Sequence, residues 1–77
     1  MSNEQQIKER MSEILNQPRD ALTDEAELTS LVTSSFVLIE MIIELQEELG
    51  VRFSQADMQE VSTIGQLVEL FVERSRQ

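Results

Sequence analysis

The stretch VTSSFVLIEMIIELQEELG, residues 32–50, constrains the fold more than any other part of the chain. It opens on two hydroxyls, closes on a glycine, and in between repeats its apolar residues at helical spacing. Serine is a favoured N-cap because its oxygen accepts from the unpaired amides of a first helical turn, and glycine is a natural C-terminal stop. A helix is therefore expected from the serine pair to Gly50. At about 100° per residue, Leu38, Met41, Ile42, Leu45 and Leu49 fall in one arc of about 100°, enough for a buried face. Phe36, Ile39 and Ile43 project from the other side, in an arc that also holds Glu40 and Glu47, with Glu44 at its edge. The helix is thus apolar on two sides. Either the preceding loop covers Phe36 and Ile39, or these residues form an exposed docking strip fenced by acids.

The rest of the chain reads as helix as well. Ile7, Met11, Ile14 and Leu15 follow helical spacing up to Pro18, which predicts a helix over residues 3–16. Residues 17–34 lack a sustained period but carry Ala21, Leu22, Leu28 and Leu31, the pattern of a long loop pinned to a core. A short helix is expected near residues 57–61. Ser62 or Thr63 then caps a last helix, in which Ile64, Leu67, Val68 and Phe71 form one stripe. Two glycines, one proline and 4% aromatic residues in 77 fit this better than a sheet. The expectation is an all-α fold, a small antiparallel bundle of three main helices plus one short helix, with residues 1–77 as a single domain.

Several function classes are excluded by what the chain lacks. With no cysteine and no histidine there is no disulfide, thiolate nucleophile or zinc site, and the side chain best suited to proton transfer near neutrality is missing. Paired carboxylates need a shielded cleft, which a core this small does not readily enclose, so the chain is not expected to be an enzyme. No apolar run approaches the roughly 20 residues that span a bilayer, and the polar start MSNEQQIKER is no signal peptide, so no membrane insertion and a cytoplasmic setting are expected. Fifteen acids against six bases give a formal net charge of −9, and residues 20–51 hold eight acids and no base. Such a field repels nucleic acid and favours basic protein patches. A cation-binding acidic domain is a weaker reading, because no ligand spacing supports it.

Residues 28–71 resemble the acyl carrier proteins and the related peptidyl carrier domains. From Ser35 onward the match has no gap: a serine opening a helix, fifteen residues to Gly50, an apolar step at Val51 and Phe53, an acidic short helix, and Ser62-Thr63-Ile64 starting the last helix. In that family the serine of an Asp-Ser-Leu motif carries a 4'-phosphopantetheine arm, attached through a phosphodiester from coenzyme A, whose thiol bears the cargo as a thioester. The resemblance places the attachment on Ser35. Three positions depart from the family pattern: Ser34 stands for the Asp, Phe36 for the Leu, and Val32 for a glycine usual three positions before the modified serine.

The resemblance further implies a freestanding monomeric carrier, not a catalyst. It would be loaded by a phosphopantetheinyl transferase and presented to acyl-transfer, synthase or ligase enzymes of fatty acid, polyketide or related biosynthesis. The family docks those enzymes through its acidic second helix, and the matching residues here are Phe36, Ile39, Glu40, Ile43, Glu44 and Glu47. The alternative is an unmodified adaptor of the same fold that binds basic partner proteins through that helix. Met41, Leu45, Val61 and Leu67 are the candidates to line a space for a fatty chain; otherwise they are simply core.

Overall fold

The computed structural model describes residues 3–32 and 34–75, and Thr33 lies outside them. Among the described residues five α-helices follow one another: α1 Asn3–Leu15, α2 Leu28–Leu31, α3 Ser35–Leu49, α4 Gln55–Gln59 and α5 Ile64–Ser75, with a 3-10 turn at Arg19–Ala21. The three long ones are those that the apolar periods predict. Several of their ends have a local cause. Asn16 takes the left-handed region at φ 55° and stops α1. Gly50 does the same for α3 at φ 68°, with the Gly50 and Val51 amides both donating to the Gln46 carbonyl. At the start of α5 the Thr63 hydroxyl accepts from the Gln66 amide at 3.3 Å, while the Gln66 side-chain carbonyl accepts from the Ser62 and Thr63 amides.

The core takes Ile7, Met11 and Leu15 from α1, Met41, Ile42 and Leu45 from α3, and Ile64, Leu67, Val68 and Phe71 from α5. Leu28 of α2 closes it, with Leu22 and Val51 from the connections. Phe53 packs on Phe71 with ring centroids 4.6 Å apart. Beyond the end of α1, Gln17 reaches the Leu31 carbonyl just before α3 begins, whereas Arg10 reaches Glu48 late in α3. Hence α1 and α3 run antiparallel.

Residues 17–32 are more ordered than a loop pinned by scattered anchors. Beyond the 3-10 turn and the four-residue α2, the segment 24–28 runs along the start of α5. There the Gly65 amide donates to the Asp24 carbonyl, Ile64 to Ala26, and Leu28 to the Ser62 carbonyl. A Cβ on Gly65 would sit 3.0 Å from the Asp24 Cβ and carbonyl oxygen, so this close approach requires glycine. The segment therefore rests on α5 and does not cover the outer face of α3.

The short helix α4 begins two residues earlier than expected because Ser54 and Asp57 form a capping box, with the Ser54 hydroxyl accepting from the Asp57 amide and the Asp57 carboxylate from the Ser54 amide. Arg74 holds the same carboxylate at 2.8 Å. The Ser54 amide and hydroxyl, and then Arg74, keep the Asp57 carboxyl below its ordinary value. A carboxyl lowered by folding contributes stability above the ordinary carboxylate range, and the contribution is lost as pH falls through the lowered value. Asp57→Asn is therefore expected to lower the melting temperature at pH 7, and this deficit should shrink as pH falls below about 4. A deficit of constant size in thermal melts across that range would contradict the assignment.

Candidate functional site

The two serines before α3 do different jobs. Ser34 is the N-cap: its backbone is extended (φ −133°, ψ 129°), and its hydroxyl oxygen accepts from the Phe36 amide at 3.2 Å. Ser35 is the first helical residue. Its side chain is exposed, and among the described residues its hydroxyl has no hydrogen-bond partner. The cap thus commits one oxygen and leaves its neighbour available.

The ground behind Ser35 suits an anion. It heads a fifteen-residue helix whose first turn carries no acidic residue, so nothing negative on that turn opposes the unpaired amides and the positive end of the helix dipole. With serine at position 34 the cap is neutral too. The phosphodiester of a phosphopantetheine arm therefore fits this end of α3 without displacing a structural contact. Val32 raises no objection where a glycine is usual, because its extended backbone (φ −132°, ψ 148°) is open to any residue.

Along α3 the outer face is bare. Phe36 is 67% exposed, Ile39 54% and Ile43 50%, so the covering-loop reading fails for Phe36 and Ile39. Glu40 and Glu47 are exposed beside them, while Glu44 is turned toward α1, its carboxylate 3.4 Å from Arg10. Val37 is also exposed, outside the arc of the strip. At the far end of α3 the strip runs into an open groove of about 560 Å³ between Ile43, Glu47, Arg52 and Phe53. Of the residues named for a fatty-chain lining, Met41, Leu45 and Leu67 are packed in the core and Val61 is half-buried at its edge. No helix of the described residues is long and apolar enough to cross a membrane.

Comparison with known proteins points to one family. Residues 5–71 match the family model described as a phosphopantetheine attachment site. The chain is 31% identical over 67 residues to an acyl carrier protein of Saccharopolyspora erythraea, covering 86% of this chain and 70% of that protein. It is 32% identical over 63 residues to an acyl carrier protein of Thermotoga maritima, covering 80% of this chain and 78% of that one.

Proposed function

The chain belongs to the phosphopantetheine-binding family of the acyl carrier proteins, and on that premise we propose that it carries an acyl or aminoacyl cargo on an arm attached to Ser35. Proteins of this family are carriers and not enzymes, and their prosthetic group is covalently attached 4'-phosphopantetheine. The group supplies a terminal thiol for a thioester, which a chain without cysteine does not itself provide. The observation that carries the assignment is the division of labour at the head of α3: Ser34 caps the helix, and Ser35 holds its hydroxyl out to solvent.

The protein's own contribution is presentation. The α3 terminus holds the phosphodiester end of the arm through amides and dipole, and the exposed strip of Phe36, Ile39 and Ile43 offers contact area beside it. Glu40 and Glu47 steer basic patches of the transferase, and of the synthase or ligase enzymes of fatty acid, polyketide or related biosynthesis, toward that strip. The closed core around Met41, Leu45 and Leu67 supports a cargo displayed outside the bundle.

The carrier reading is tested by loading the chain from coenzyme A with a broad-specificity transferase and charging it with a radiolabelled acyl group. Label that is retained through gel filtration and released by neutral hydroxylamine is the expected result, since hydroxylamine cleaves thioesters. A folded chain that several transferases leave unmodified would instead favour the unmodified adaptor.

A further inference from the structure

One arginine of α1 faces the acids of α3. Arg10 donates from Nε to Glu48 Oε1 at 2.8 Å and from Nη2 to Glu48 Oε2 at 2.5 Å, a forked pair. Its Nη1 holds Glu13 at 2.6 Å, and its Nη2 lies 3.4 Å from Glu44. Glu40 and Glu47, by contrast, have no ion pair and no side-chain hydrogen bond among the described residues. The helical wheel divides them in the same way. With Phe36 as origin, Ile39, Ile43, Glu47 and Glu40 lie at about −60°, −20°, 20° and 40°, while Glu44 and Glu48 lie at about 80° and 120°, toward α1. Facing and pairing thus split the four acids of α3 into the same two pairs.

We propose that Arg10 is an internal counter-ion that withdraws Glu44 and Glu48 from partner recognition. Docking at the strip is then read by Glu40 and Glu47, through a partner surface whose two cationic side chains bracket an apolar contact on Ile43. At 1.5 Å per residue, seven residues set those cations about 10 Å apart. A cation approaching Glu48 meets a carboxylate whose oxygens are both already taken by a guanidinium, whereas one approaching Glu40 or Glu47 meets an unpaired charge. Arg10 is therefore a residue that sets specificity without itself touching the partner, and Glu44, which the sequence alone groups with the docking acids, goes to its side. The inference rests on the carrier reading above and names the partner chemistry of the same face.

The test is the KM of a broad-specificity phosphopantetheinyl transferase for the full chain at two salt concentrations. In the unsubstituted background, Glu40→Gln and Glu47→Gln are each expected to raise KM about two- to fivefold and to reduce its salt dependence, while Glu44→Gln and Glu48→Gln leave it unchanged. In an Arg10→Gln background, Glu44→Gln and Glu48→Gln should begin to raise KM. Loosening of α1 against α3 would lower the melting temperature in every Arg10→Gln variant but would not create that new sensitivity. Glu44→Gln or Glu48→Gln acting as strongly as Glu40→Gln with Arg10 present, or remaining silent without it, would overturn the inference and leave the carrier reading standing. An unsubstituted chain that no transferase loads would overturn both.

Discussion

Ser35→Ala is expected to abolish attachment of phosphopantetheine while leaving the fold intact, and Ser34→Ala to do the reverse. Among the described residues the Ser35 hydroxyl has no hydrogen-bond partner for the fold to lose, and alanine is a good helix former at a first helical position. Removing it deletes the attachment oxygen and little else. Ser34→Ala removes the acceptor of the Phe36 amide, a loss of about 1 kcal/mol at an N-cap, which lowers the melting temperature of a domain this size by about 4–8 °C. Intact mass after incubation with coenzyme A and transferase, alongside thermal melts, separates the two effects. Loading that survives Ser35→Ala and fails in a folded Ser34→Ala would exchange the roles assigned here.

Phe71→Ala is expected to leave much of the chain unfolded at room temperature. Phe71 is fully buried on α5 and packs at a tilt of 53° against Phe53. Truncating a buried phenylalanine costs about 3–5 kcal/mol, through lost transfer energy and the cavity left behind. A domain of this length has a total stability of about the same size. Phe36→Ala removes a ring of equal size from the bare face of α3, and its expected cost is within about 0.5 kcal/mol. Circular dichroism melts of the two variants should therefore differ sharply. A cooperative transition for Phe71→Ala within a few degrees of the parent would contradict the core described here.

What the sequence reveals divides along the range of the forces involved. The long helices are legible because their causes are local: an apolar period in each, a serine or threonine at the start of α3 and α5, and Gly50 at the end of α3. The position of α4 was also written locally, in the Ser54 and Asp57 pair, although reading the helix from Asp57 onward placed it two residues late. The four-residue α2 has no period to read. Its first residue and the segment before it bond to Ser62, Ile64 and Gly65, 34 to 41 residues away in the chain. The glycine in the first turn of α5 was the one available sign of that contact.

The site follows the same rule. The serine pair, the strip and the fence of acids lie within one helix, so their angles follow from the sequence. Which serine caps and which is available turns on one hydrogen bond, from the Phe36 amide to Ser34. Whether the strip is covered turns on where the chain before α3 settles: residues 24–28 bond to the start of α5, and Phe36 and Ile39 stay exposed. The pairing of Arg10 with Glu44 and Glu48 joins residues 34 and 38 positions apart and has no local signature at all.

The measurement that tests the central claim most directly is the position of the modification on the unsubstituted chain. The chain would be loaded from coenzyme A and digested, and the peptide containing residues 34 and 35 fragmented in a mass spectrometer. The account predicts one phosphopantetheine, with the mass step at Ser35 and an unmodified Ser34. A step at Ser34, or a folded chain that several transferases leave unmodified, would contradict it.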